Sequence, residues 1–307
     1  MKKIFKSRGF WCLITALVVG TVSVSAATYF PSVDVTYDNK ESGLESQNVQ
    51  GAIDELYGIC TTPSTAGDTI LKKEPIVTSG DGLYKDEYEE GKYTYKGANP
   101  NNYVTFNNEK AGWRIISINS DGTIKIMKDD SIGNIVWNSS NSSNWNRPAT
   151  LNTYLNGDYY NSLTSIARNQ IVEGIYYAGE VTYNNNDMQD QISDEKAVTS
   201  KVKVALPTVS EYLRANSNKE QCGTYSLYDD NYRTCKNSDW MCINDYWWTL
   251  SAYSGLSYRV FEVFSDGYVY DTGANVKNNA VRPATTLSSE VQITGGIGTE
   301  SDPYILS

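Results

Sequence analysis

Trp247-Trp-Thr-Leu-Ser-Ala-Tyr253, Tyr258-Arg-Val-Phe-Glu-Val-Phe264, Ser265-Asp-Gly267 and Tyr268-Val-Tyr-Asp-Thr272 follow one another near the end of the chain. The three longer runs are rich in aromatic and β-branched residues, and a Ser-Asp-Gly turn joins the last two, so antiparallel strands with one tight hairpin are expected. Val281 to Leu287 adds a further strand. Before them, Val202 to Leu206 is an apolar strand, and Pro207-Thr-Val-Ser-Glu-Tyr-Leu-Arg-Ala215 opens with Pro and a hydroxyl cap, the start of a helix. Leu151, Leu155, Tyr159, Leu163, Ile166 and Ile171 support one or two short helices broken near Asn156-Gly157. Toward the N-terminus, Tyr93 to Lys96, Tyr103 to Phe106, Trp113 to Ile118 and Thr123 to Met127 read as strands, the last two around a second Ser120-Asp-Gly122 turn. Helices in the middle and strands on both sides indicate an α+β fold.

The chain has 307 residues, Lys+Arg 26 against Asp+Glu 36, and no histidine. Acid in excess of base argues against a nucleic-acid partner, which needs clustered Lys and Arg. The absent imidazole removes the commonest general base, any Ser-His or Cys-His pair, and the usual ligand of catalytic zinc. No cofactor is expected. Gly295-Gly-Ile-Gly-Thr299 lacks the strand-to-helix setting of a phosphate loop, and Gly255-Leu-Ser-Tyr-Arg259 lacks the second glycine of a nucleophile elbow. Asp86, Glu87, Glu89 and Glu90 lie in a row, which reads as a solvated face or loose cation site and not as two carboxylates opposed across a cleft. Asn184 to Asp190 and Asp229 to Asn231 offer oxygen ligands suited to calcium without matching an EF-hand, and read as plain loops.

Lys2, Lys3, Lys6 and Arg8 precede an apolar run from Phe10 to Val24, followed by Ser25, Ala26 and Ala27, the order of a secretory signal and its cleavage site. The same run is long enough to remain as a membrane tether through residues 10–27. Loss of the four basic residues takes the formal charge from −10 to −14. Cys12 lies within the signal, leaving Cys60, Cys222, Cys235 and Cys242, which outside a cell are expected to form disulfides. Cys222 and Cys235 bracket a polar loop and are the favoured pair; Cys60 joins Cys242 or another chain. Without a CxxC pair or a histidine, a zinc cluster is disfavoured.

Four segments follow from this reading: a signal or anchor over 1–27, a strand-helix stem over 28–60, a linker over 61–79 and a head over 80–307. In the stem, Val33 to Tyr37 alternates as a short strand. Val49, Ile53, Leu56 and Cys60 then lie on one face of a helix capped by Ser46 or Asn48. That stripe either docks on the head or associates with copies of itself, since so short a helix is marginal alone. The stretch Tyr37 to Leu56 resembles a stalk element recurrent in phage tail fibres and surface proteins of gut Firmicutes.

The head carries a second resemblance. Trp113-Arg-Ile-Ile116, Val204-Ala-Leu-Pro-Thr-Val-Ser-Glu-Tyr212, Trp247-Trp-Thr-Leu-Ser251, the hairpin at Asp266-Gly267, Val281-Arg-Pro-Ala284 and Gly296 to Tyr304 resemble, in order, a widespread domain of secreted and phage-encoded Firmicutes proteins. That domain in turn resembles the formylglycine-generating-enzyme-like branch of the C-type-lectin superfold. The resemblance implies an exported protein of a Gram-positive-type cell, extracellular or at its surface. It also implies a mixed head of short helices and antiparallel strands that displays a ligand face on its final strands, with Arg282 as a structural clamp. Tyr is 24 and Trp 7, flat surfaces with polar tips suited to recognition. Trp113, Trp137, Trp247, Phe261 and Val263 are assigned to packing. Trp248, Tyr253, Tyr258, Tyr268, Tyr270, Asp271 and Asn275 are assigned to a face that binds a protein or glycan. The alternatives are a secreted, cofactor-free glycosidase with paired carboxylates and an assembly subunit without a small ligand.

Overall fold

The computed structural model describes residues 31, 34–36, 38, 40, 44–61, 64–185, 187–218 and 236–307. The export segment and the Cys222–Cys235 pair lie outside the described residues. Among the described residues no helix is long and apolar enough to cross a membrane. The chain forms two compact units, Met1–Ser64 and Thr65–Ser307.

In the first unit, helix α1 spans Val49–Thr61. Asn48 caps it, its Oδ1 accepting the Gly51 N–H at 2.7 Å. The Glu55 carboxylate accepts the Ser46 hydroxyl at 2.7 Å and the backbone N–H groups of Glu45 and Ser46, folding the preceding segment back over the helix. These bonds, the Ser46 hydroxyl foremost, hold its pKa below the usual carboxylate range. Of the expected stripe, Val49 and Leu56 are half-buried and Ile53 is exposed, while Ala52 is the buried position. The expected strand at Val33 to Tyr37 lies partly outside the described residues; Thr36 makes a single bridge to Asn48.

The second unit opens with a departure from the expected linker. Ala66–Lys73 is a helix, α2, whose N-cap Thr65 accepts the Asp68 N–H at 3.0 Å, with Lys72 and Lys73 in its last turn. Ala66 and Ile70 are buried in the core. Pro63 and Pro75 stand outside its two ends, where they punctuate a helix without breaking it. Strands β1 (Gly82–Lys85), β2 (Tyr93–Lys96), β3 (Tyr103–Phe106), β4 (Glu109–Ile118) and β5 (Ile124–Lys128) follow. The helical stretch is α3 (Thr150–Tyr154), a wide π turn over Leu155–Tyr159, α4 (Tyr160–Ser162) and α5 (Ser165–Gln170). The expected break at Asn156 is thus a bulge. There the Asn156 amide donates to the Val204 carbonyl at 2.8 Å and accepts the Lys203 and Val204 N–H groups.

Next come β6 (Ile171–Val172), β7 (Gly174–Tyr177), β8 (Glu180–Val181), α6 (Met188–Lys196), β9 (Thr199–Val202), β10 (Val204–Ala205) and α7 (Val209–Arg214). The expected polar loop at Asn184 to Asp190 therefore runs into a helix, with Asp187 as its N-cap. Thr208 and Glu211 close a capping box on α7. The chain ends with β11 (Trp247–Tyr253), β12 (Arg259–Val263), β13 (Val269–Gly273), β14 (Ala284–Leu287), β15 (Ile293–Gly295) and β16 (Tyr304–Leu306). The fold is α+β and mostly β. The large sheet runs β10-β14-β5-β4-β3-β16-β15, with β2 also on β4 and β6 also on β14; the small sheet runs β13-β12-β11-β8; β7 pairs with β9. Gly122 and Gly267 both take positive φ in the two Ser-Asp-Gly turns, a conformation that glycine adopts without strain.

The small sheet is buried on both faces. Trp248, Leu250, Ala252 and Val260 belong to one apolar cluster, and Trp247, Phe261, Val263 and Val269 to another. Between the two sheets, the fully buried Arg282 donates through Nη1 to the Met241 carbonyl at 2.6 Å and through Nε to the Lys128 carbonyl at 3.3 Å, and lies over the Trp247 ring at 5.2 Å. Its Nη2 reaches Asp129 at 3.5 Å. Burial lowers its pKa to about 10, with Asp129 opposing, so it stays charged at neutral pH. Arg282→Met leaves two carbonyls and Asp129 without this donor and is expected to cost about 3 kcal/mol or more. Urea unfolding of the variant against wild type measures the loss.

Candidate functional site

The residues assigned to a binding face separate into three places. Trp248 is fully buried, its Nε1 donating to the Ile135 carbonyl at 2.9 Å, so it is a core residue and not a contact residue. The reason is local: Trp247 and Trp248 point to opposite faces of β11, and both faces are covered. Asp271 is also buried. It accepts the Tyr183 hydroxyl at 2.5 Å and pairs with the Arg259 guanidinium. Tyr253 is half-buried and packs edge-on to Tyr183 at 5.2 Å and to Phe261 at 5.9 Å.

Tyr258 and Asn275 are exposed and flank the open end of the β12–β13 hairpin, where Ala274 N–H donates to the Tyr258 carbonyl at 2.9 Å. Tyr268 and Tyr270 lie toward its turn, their rings stacked at 6.1 Å. Two aromatics join them that the sequence reading did not single out. Phe264 lies 6.0 Å from Tyr268 and 6.3 Å from Tyr270, and Tyr246 lies 4.8 Å from Phe264. Tyr246 is 44% exposed and Tyr270 43%, so the four rings form a contiguous aromatic edge. Phe264 and Tyr268 bracket the Ser-Asp-Gly turn, a signal that could have found the pair; Tyr246 sits before β11 and offers none.

The edge strand β13 is closed to strand addition at its centre. The Asp271 N–H donates to the Tyr183 hydroxyl at 3.0 Å, and the Asp271 carbonyl accepts Arg259 Nη2 at 2.6 Å. Recognition at this edge therefore falls to side chains. Behind it, Glu262 pairs across the ladder with Tyr270 and takes a hydrogen bond from the Asn279 amide. Burial raises the Glu262 pKa to about 7; Asn279 and Arg259 oppose it and Asp271 adds to it.

A second arrangement lies elsewhere in the head, in a cleft of about 670 Å³ lined by the Tyr88–Lys92 segment, β5, β7, Lys196, Lys201 and Glu211. The acidic row expected to be solvated enters this knot of charge. Glu89 accepts Lys92 Nζ at 2.7 Å, Lys196 Nζ at 2.8 Å and Arg214 Nη1 at 2.9 Å. The buried Asp86 also pairs with Arg214, at 2.8 Å. Burial pushes the Glu89 pKa up, but Lys92 and Arg214 outweigh it and hold the carboxyl far below its usual range. The Lys92 ammonium is driven down by burial and by Arg214. Glu211 uses Oε2 for the Thr208 N–H of its capping box and Oε1 for Lys125 Nζ at 2.6 Å. The hydroxyl cap was legible in Pro207-Thr208; the return bond to Glu211 and its lysine partner, 86 residues away, were not.

Among the described residues no group of three or more Cys, Asp and Glu stands ready to hold a metal. Cys242 has no disulfide partner among the described residues, and burial raises its thiol to about 11. In comparisons with known proteins, the family model described as Domain of unknown function (DUF6273) matches residues 121–289. No curated protein and no solved structure matches the chain.

Glu262 gains protons on folding, so its contribution to stability is full below about pH 4.5 and is lost as pH rises through about 7. Asp239, raised by burial to about 8, acts in the same sense. Glu262→Gln keeps the acceptor for Asn279. The drop in unfolding free energy between about pH 5 and 8 is expected to be smaller in this variant than in wild type, by on the order of 2 kcal/mol. Paired urea titrations at the two pH values read the difference.

Proposed function

The chain belongs to the DUF6273 family, a domain of unknown function, and from that premise we propose an exported surface or fibre-like protein whose head holds a protein or glycan ligand. The head takes the arrangement of a C-type-lectin-like domain in this reading, and the export segment delivers it to the outside of the cell as a released or tethered product. The observation that carries the proposal is the aromatic edge of Tyr246, Phe264, Tyr268 and Tyr270. Tyr246 and Tyr270 are exposed and Phe264 and Tyr268 half-buried between them, beside an edge strand whose central peptide groups are already taken. Tyrosine rings offer large contact area at small cost in side-chain entropy, and their hydroxyls supply the polar contacts.

The glycosidase reading has less support. Glu262 and Asp271 alternate onto opposite faces of the small sheet, and Glu89 and Glu211 are each committed to cations. The first pair faces no common space, and in the second, which lines one cleft, both carboxylates are already held by cations, unlike the free acid and base the chemistry requires. The stem enters the proposal through α1, which leaves Ile53 exposed and is short for a helix on its own. Copies of the chain associate through this stripe and present several heads together.

Binding of the mature chain to glycan and protein arrays tests the edge. A Tyr268→Ala, Tyr270→Ala variant is expected to lose at least about tenfold in affinity, whereas Tyr258→Ala, Asn275→Ala, at the other end of the hairpin, retains binding. Unchanged binding in the first variant rejects the site. For the stem, sedimentation of the mature chain is expected to show an oligomer that Ile53→Glu converts to monomer.

A further inference from the structure

The cleft described above carries a charge pattern that no part of the aromatic edge shares. On and beneath its floor, four cationic groups, Lys92, Lys125, Lys196 and Arg214, meet three carboxylates, Asp86, Glu89 and Glu211. One positive charge is left over. Lys92, Lys125 and Lys196 line the cleft and each bind a single carboxylate oxygen, Lys125 and Lys196 also lying over the Tyr176 and Tyr177 rings, and an ammonium has three N–H donors, so each retains donor capacity beyond its ion pair. The rim has the opposite sign: Glu90 and Asp121 are exposed there, and Glu173 pairs with Lys201 only loosely, at 3.8 Å. The largely exposed Ile175 supplies an apolar stretch of wall, next to the Tyr177 ring over which Lys196 Nζ lies at 5.3 Å.

An occupant that satisfies this pattern needs one anionic group for the floor, hydrogen-bond donors for the acidic rim, and a face of C–H groups for the wall. A compact multivalent anion is repelled by the rim and leaves most of the volume empty. A neutral sugar leaves the floor charge unanswered. We infer that the cleft binds an acidic sugar, a hexuronate unit seated with its carboxylate on Lys92, Lys125 and Lys196 and its hydroxyls against Glu90 and Asp121. The volume suits a small ligand, which such sites hold in about 300–1,000 Å³.

The site stands apart from the aromatic edge in its residues, so its test stands apart as well. Titration of the mature chain with glucuronate and galacturonate, followed by calorimetry or ligand-observed NMR, is compared with glucose, galactose and inorganic phosphate. The uronates are expected to bind at least about tenfold more tightly than either neutral sugar, and to weaken several-fold as salt rises from about 0.05 to 0.5 M. A disaccharide ending in glucuronate distinguishes a free sugar acid from the end unit of a glycan by which of the two binds more tightly. Lys196→Gln, at a partly exposed position chosen to spare the fold, is expected to lose about tenfold with its thermal midpoint nearly unchanged. The Tyr268→Ala, Tyr270→Ala variant keeps uronate binding. Equal affinity for glucose, phosphate binding as tight as glucuronate, unaltered affinity in folded Lys196→Gln, or no saturable uronate binding each overturns the assignment.

Discussion

A guanidinium with no exposed surface holds the head together at its centre. Arg282 sits just before β14 and reaches the Met241 carbonyl, the end of β5 and the Trp247 ring at the start of β11. It thus joins the large sheet, the segment before the small sheet and the small sheet itself. Arginine suits this place because its planar fork satisfies several acceptors at once and lies flat on an indole, which a lysine ammonium cannot do. Arg114 repeats the device nearby. It is buried between the Tyr103 and Trp240 rings at 4.0 and 4.7 Å, and its Nε donates to Asn102 at 2.8 Å. Asp129 lies within 3.9 Å of both guanidinium groups. The buried charge is costly, and that cost is offset by acceptors at Nε, Nη1 and Nη2 of Arg282 and at Nε and Nη2 of Arg114.

With the small sheet fixed in this way, its two faces are both covered and only its edge and ends meet solvent. That is why aromatic residues spread along three strands divide so sharply. Trp247 and Trp248 vanish into different clusters, whereas Tyr270 on the outermost strand is exposed and Tyr268 just before it is half-buried. The cleft arises from a different junction, where α7, β5 and β7 meet. Its charges are structural before they are functional: Glu89 gathers Lys92, Lys196 and Arg214 from three separate segments. A network that ties three segments and still faces a cavity fits both a scaffold and a polar ligand.

The local grammar of the chain was largely legible. Both Ser-Asp-Gly turns are hairpin turns with glycine at positive φ, the Pro207-Thr-Val-Ser-Glu segment is a capped helix, and Tyr93–Lys96 and Tyr103–Phe106 are strands at the expected residues. Helix α2 was missed because its apolar contribution is slight, Ala66 and Ile70 in the core with Leu71 packed against it, and because Pro63 and Pro75 read as linker punctuation. Helix α6 was hidden in a polar run. Its inward face includes Gln191 and Glu195, and Glu195 is buried only because Ser210 and Ser251 bond to it.

The candidate sites were legible in part. Tyrosine content pointed to recognition, and Tyr268 and Tyr270 were found, but Trp248 and Asp271 are interior. Alternation along a strand tells which residues share a face and not whether that face is covered. The cleft escaped entirely, since its ion pairs join residues as far apart as Asp86 and Arg214.

Periodicity, caps and turn residues act within a few positions of one another, so the amino-acid sequence alone determined the α+β class, most strands and the two hairpins. Which aromatics reach water, which carboxylates meet cations, and where a cavity opens depend on how the sheets pack and on the desolvation that packing imposes. Those outcomes belong to the tertiary structure, because burial and long-range charge pairing are properties of assembled surfaces and not of any short segment.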